Sequence, residues 1–296
     1  MTRARCLIPF SLILLAGACG PKEAEKSQLD AFPVRVLAAE RRNLEETLVI
    51  VGSVKAKDEA TLYSRVPGKL QTNLIKEGEP VKKGAAVSLV ERDEVGVRFE
   101  PAPVPSTLDG VVARIYLDKG ENVTPQTPVA LVVDPSELLA RAEVPERFAA
   151  RLRLGLSARI RFDAYPQREF HAVLTRVSPV VDPGTRTTLV EAKIADAGNL
   201  VRPGMFGELT VVLGQAGNVL AVPIESLADG SGPVVFVAKD GKASKREVEV
   251  GLRTAQFVEI RRGVAPGEKV VTFGLFGLKD GSAVEILPPE QSARQD

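Results

Sequence analysis

VPGKLQTNLIKEGEPVKKGAAVSLVE, from Val66 to Glu91, and LDGVVARIYLDKGENVTPQTPVALVVD, from Leu108 to Asp134, are two copies of one pattern. Laid over each other without a gap, Gly68 meets Gly110, Gly78 meets Gly120 and Glu79 meets Glu121. Val81 meets Val123, Val87 meets Val129 and Leu89 meets Leu131, every pair 42 positions apart. A fixed offset across that many matches marks an internal repeat. Each copy reads as a turn glycine, a short strand, a Gly-Glu turn, a valine, a second turn and a Val-x-Leu strand. Glycine permits backbone that a Cβ would forbid, and the β-branched residues suit a pleated, half-buried surface.

The two copies resemble the halves of a lipoyl or biotinyl carrier domain, a flattened β-sandwich with pseudo-twofold symmetry. Two unrelated hairpins that merely share turn chemistry would not keep an ungapped spacing. A carrier domain presents a modifiable lysine at a hairpin tip, whereas STLDGVV here places Asp109-Gly110 at that turn. The expectation is a structural sandwich with no covalently carried cofactor.

Outward from the repeat, 296 residues allow two or three domains with real cores. Helical periodicity is scarce, and 25 glycines and 21 prolines break up many short apolar runs, so the fold class is mainly β. The 39 basic and 38 acidic residues leave a net charge of +1, and aromatics are 5 % of the chain. With neither a basic stripe nor an aromatic platform, nucleic acid is not expected as a partner. The two cysteines are Cys6 and Cys19, so the body of the chain has no disulfide framework and no thiol site.

At the start, Arg3 and Arg5 precede an apolar run from Leu7 to Leu15, and AGAC ends at Cys19, as in a bacterial export signal. The run is shorter than the roughly 20 residues that span a bilayer. Small residues followed by cysteine resemble a lipobox, which implies diacylation at Cys19, although Ala16 departs from the commoner leucine. Residues 1–18 are thus read as a lipoprotein signal peptide and 19–31 as a polar tether to a β body beginning at Phe32.

Between the repeat copies, residues 93–105 are read as a short extended link, because Pro101, Pro103 and Pro105 forbid helix there. After the second copy, Pro145, Phe148, Leu152 and Gly155 outline one short helix. Pro183-Gly184 and Pro203-Gly204 read as type II turns, each feeding a strand. Met205, Gly207, Leu209, Val211 and Leu213 share one face of the last of these strands, in a pattern that suggests a small closed barrel. Asp240-Gly241 is a strong hairpin signal in the final β module. The aperiodic tail, 288–296, is expected to fray.

Taken together, VDPGTRT, RPGMFGELTVVL, FDAYPQREFHAVLTRVSP and VPIESL…VFVAKDGK…VEVGLR…GVAPGEKVVTFGL resemble the periplasmic adaptors, the membrane fusion proteins of HlyD and RND efflux type. The resemblance runs from about Pro33 to Leu287. It implies a membrane-proximal β domain (32–42 with 217–287), a β-barrel (43–58 with 135–216) and the lipoyl-like sandwich (59–92 with 106–134). It also implies family-signature turns at Gly68, Gly78, Gly110, Gly120, Asp182, Pro183, Arg186, Pro203 and Gly204, all structural. One expected part is missing, since 93–105 cannot hold an α-helical coiled-coil hairpin. The implied function is an adaptor that couples an inner-membrane RND pump to an outer-membrane channel, reached directly or through a second adaptor. An ABC exporter as the pump, or a freestanding envelope binding or assembly lipoprotein, are the alternatives. The implied setting is the periplasm of a Gram-negative bacterium, with a lipid anchor, the inner membrane favoured, and a homo-oligomeric ring.

Catalysis is not expected. His171 is the sole histidine and lies in an alternating strand without a cysteine partner, and no serine occupies a G-x-S-x-G turn. Metal binding lacks clustered ligands, and with Met1 and Met205 the only methionines a thioether copper site has no support. Arg186 reads as a strand arginine paired with a nearby carboxylate.

Overall fold

The computed structural model describes residues 31–92, 99–198, 200–228 and 232–288. Cys19, the expected signal peptide, nearly all of the expected tether and residues 289–296 of the tail lie outside the described residues. The chain is almost wholly β. Strand β1 (Phe32–Ala38) leads into the long β2 (Glu40–Ala56). The first repeat copy forms β3 (Glu59–Tyr63), β4 (Gly68–Asn73), β5 (Pro80–Val81) and β6 (Ala86–Glu91). The second forms β7 (Ala102–Pro105), β8 (Gly110–Ile115), β9 (Asn122–Val123) and β10 (Pro128–Val133). Then come β11 (Leu138–Pro145), a 3-10 helix (Glu146–Arg151), β12 (Ser157–Phe162), β13 (Glu169–Asp182), β14 (Thr187–Ile194) and the long β15 (Phe206–Pro223). The last module is β16 (Val234–Lys239), β17 (Lys242–Glu247), β18 (Glu249–Arg253), β19 (Phe257–Arg262), β20 (Lys269–Phe273) and β21 (Val284–Ile286).

The repeat folds as one sandwich whose sheets are β3-β10-β8-β5 and β7-β6-β4-β9. Its internal symmetry holds bond by bond. The Gly78 N–H donates to the Val112 carbonyl and the Gly120 N–H to the Leu70 carbonyl, both at 2.8 Å. Ser64 Oγ donates to the Val66 carbonyl at 2.7 Å, and Ser106 Oγ to the Leu108 carbonyl at 2.6 Å. A Cβ on Gly68 would run into the Glu91 carbonyl oxygen, and one on Gly110 into that of Val133. These two glycines are therefore fixed by close approach of backbone, and they sit in equivalent places. Leu62, Leu70, Val87, Val104, Val112 and Val129 fill the shared core.

One expectation fails here. Residues 102–105, read as the end of an extended link, are the strand β7, with Val104 buried and opposite Ser88. β7 is the symmetry mate of β3, since Pro105 pairs with Ala86 as Tyr63 pairs with Pro128. Prolines are tolerated because β7 is the edge of its sheet, where a missing N–H costs no ladder bond. Only ten residues, 92–101, then join the copies, too few for two antiparallel helices.

The barrel is a closed ring, β12-β13-β14-β11-β2-β15, with β12 pairing back onto β15. Alternating residues of each strand point inward, and Phe162 and Phe170 meet edge to face at 5.4 Å in the middle. The expected helix is a six-residue 3-10 segment that presents Phe148, with Leu152 just after it, to this core. β2 and β15 do not stop at the barrel. They continue as a paired ribbon into the last module, where β15 passes to β19 and β1 joins the sheet β17-β16-β20-β1-β21. The boundaries expected at 42/43 and 216/217 thus fall inside strands, near a bulge between Ala216 and Val219.

Candidate docking surfaces and the interdomain cleft

The signature turns lie at opposite ends of the barrel. At the sandwich end, the Gly204 N–H donates to the Val54 carbonyl at 2.8 Å, and the Val54 N–H donates to the Met205 carbonyl at 2.7 Å. Gly204 has φ +91°, as a type II turn requires, so Pro203-Gly204 reads correctly from sequence. Pro183-Gly184 does not. Gly184 keeps an ordinary φ, and the left-handed residue of that turn is Arg186, at φ +54°. The cause is Asp182, whose carboxylate takes the Gly184 and Thr185 N–H groups at 2.7 and 3.1 Å. Those same amides, Thr185 first, hold the Asp182 carboxyl below its ordinary range. The Arg186 N–H then closes the loop onto the Asp182 carbonyl at 2.8 Å, and the Arg186 carbonyl accepts the Glu146 N–H at 3.0 Å. Arg186 is accordingly a turn residue. Its guanidinium pairs with no carboxylate among the described residues, contrary to the strand ion pair expected.

Where the ribbon leaves the barrel, two carboxylates are clamped. Arg159 grips Glu45 with both terminal nitrogens at 2.9 and 3.0 Å, and Gln215 adds a bond to Glu45 at 3.1 Å. Arg151, at the end of the 3-10 helix, grips Glu46 in the same forked way. The arginine hydrogen bonds push both glutamates below the ordinary carboxylate range, overriding the partial burial that acts the other way. No sequence motif announces this clamp, because its partners lie over a hundred positions apart.

Between the barrel and the sandwich lies a cleft of about 830 Å³. Leu131 and Val133 of β10 rest on the barrel core and form its back, while Lys55, Arg114, Arg202 and Phe206 line it. Lys55 pairs with Glu59 at 3.6 Å. His171 is exposed on β13, away from this cleft, and no group of three or more metal-ligating side chains occurs among the described residues.

Residues 140–215 match the family described as CusB-like, beta-barrel domain, and residues 219–286 match YknX, C-terminal permuted SH3-like domain. The chain is 28 % identical over 175 residues to SilB of Salmonella typhimurium, which carries the name membrane fusion protein. It is 27 % identical over 271 residues to the nodulation protein NolF of Rhizobium meliloti strain 1021. In sequence the chain resembles the membrane fusion proteins. The aligned stretches take in 58 % of this chain and 40 % of SilB, and 90 % of this chain and 69 % of NolF. The fold is shared with MacA of Actinobacillus actinomycetemcomitans, at TM-score 0.67 and 17 % identity, over 80 % of this chain and 99 % of that one.

The surfaces described above are ones that hold shape. Gly68, Gly78, Gly110, Gly120, Pro203 and Gly204 fix turns, and Asp182, Pro183 and Arg186 fix a hairpin tip, with no convergent set of reactive groups among them.

Proposed function

We propose that this chain is a periplasmic adaptor that couples an inner-membrane pump of the RND type to an exit channel, by mechanical contact and without a chemical step. The observation that carries the reading is the β2–β15 ribbon. Its pairing, from Phe206 opposite Ser53 to Ala221 opposite Glu40, takes one pair of strands along the barrel and on into the last module, so the two modules share a common spine. The CusB-like barrel match favours an RND partner. Likeness to the macrolide export protein MacA of Yersinia pestis, 26 % identical over 176 residues, favours an ABC exporter as the second reading. Cys19 carries the lipid anchor, and the sandwich, which has no helical hairpin, is the distal tip. That blunt tip meets the channel directly or through a second, hairpin-bearing adaptor.

The test is crosslinking in intact membranes followed by affinity purification of the full chain. Co-purification of an RND transporter is the expected result. An ABC exporter in its place selects the second reading, and recovery without any transporter returns the chain to the class of freestanding envelope lipoproteins. Cys19→Ser should shift the protein to the soluble periplasmic fraction, and unchanged membrane retention would count against the anchor.

A further inference from the structure

The turn that follows β20 holds a phenylalanine out in water. Phe276 is 99 % exposed, while its neighbours Leu275 and Leu278 pack into the core of the last module. The Leu278 N–H closes the turn onto the Leu275 carbonyl at 3.2 Å, and Gly277 takes the third position with φ +78°. Gly274, at φ +87°, lies so close to β1 that a Cβ would strike the Pro33 carbonyl. Beyond the turn, the Gly281 N–H binds the Ala243 carbonyl and Asp280 accepts the Lys245 N–H, both at 2.8 Å. The finger is therefore braced on both sides. A phenylalanine braced in water gives up the burial its ring would gain elsewhere, and it counts as an interaction feature only together with apolar neighbours at the same corner.

The chain itself says which partner lies nearby. Residues 1–30 join the fold at this same corner, where the Phe32 ring lies beside Gly277. Phe32 is 36 % and Phe273 55 % exposed, and the Arg35 guanidinium lies over the Phe273 ring at 5.1 Å. Cys19 stands thirteen residues before Phe32, a reach of at most about 45 Å. Lys279, exposed three positions after Phe276, suits an anionic headgroup.

We infer that Phe276 is a membrane wedge: with Phe32 and Lys279 it inserts into the headgroup boundary of the bilayer that holds Cys19. This rests on the lipid-anchor reading above. The anchor fixes distance from the membrane, and the wedge fixes which way the molecule stands on it.

The chain has no tryptophan, so Phe276→Trp installs a single reporter. The full-length lipidated variant is placed in vesicles of phosphatidylethanolamine and phosphatidylglycerol, with and without brominated acyl chains, and its flotation with the vesicles is measured alongside. Expected are a melting temperature equal to that of the parent, a blue-shifted emission, and quenching by bromine of about half the signal or more. A protein that floats while its indole emits as in water and escapes bromine overturns the wedge and leaves the anchor standing. A protein that does not float overturns the anchor reading, and this one with it. An indole shielded only when the transporter is added, and still untouched by bromine, assigns the finger to a protein contact and also overturns the proposal.

Discussion

At the scale of residues, shape in this molecule is set by a few positions where backbone meets backbone. Gly68 and Gly110 leave no room for a methyl group against the carbonyls of Glu91 and Val133, and neither can relax by turning a side chain. Gly110→Ala should cost about 1–3 kcal/mol, and Gly68→Ala a similar amount, since the clash is the same on both sides of the pseudo-twofold axis. Urea denaturation of the two variants checks this, and a several-fold difference between them would deny the equivalence. These glycines were legible because the offset aligns them. The Asp182 turn was not, since Pro-Gly announces a type II turn only if no side chain intercepts its amides, and here the aspartate does.

At the scale of elements, β7 shows where sequence patterns mislead. Three prolines in five residues argue against a strand, yet an edge strand with one face on a core accepts them. The signal that finds β7 was present: the repeat extends upstream, with Ala60 over Ala102 and Ser64 over Ser106 at the same offset. Barrel strands, by contrast, alternate cleanly because one face is buried throughout. Replacing residues 93–98 with a Gly/Ser linker of equal length should leave the thermal transition where it is. Replacing 102–105 in the same way should remove Val104 from the core, expose the edge of β6 and lower stability by several kcal/mol. Differential scanning calorimetry of the two variants separates these outcomes, and equal melting would return 102–105 to the status of a link.

At the scale of the whole molecule, the double clamp at Glu45 and Glu46 ties the ribbon to the barrel rim. Both carboxylates titrate below their unfolded value of about 4.3, so their contribution is present above that pH. It is lost as the pH falls through the lower values of the folded state. Arg159→Met and Arg151→Met should each cost about 1 kcal/mol or less at pH 7, solvent screening keeping the figure small. Melting curves of variants and parent should converge as the pH falls well below the unfolded carboxylate range. A gap that persists in acid would mean the arginines act by packing and not by charge. The clamp was invisible in the sequence, because nothing local distinguishes Glu45 and Glu46 from solvated strand glutamates until β12 is laid beside β15.

The pairing of Val90 with Ala102 has a further consequence, since it holds the two ends of the connecting segment one strand spacing apart, about 4.8 Å. Val133 and Glu59 are held in the same way at the other end of the sandwich, where the chain passes to the barrel. The sandwich is thus a socket with two equivalent ports, one wired to the barrel and the other closed by a short plug. Whatever is threaded into the plugged port meets ends already fixed side by side, so its length hardly matters to the fold that holds it. An antiparallel helical pair spliced in at 93–98 should leave the sandwich within about 1 kcal/mol of its present stability. The reach of such a molecule can then lengthen or shorten without any change to the parts that make it stand.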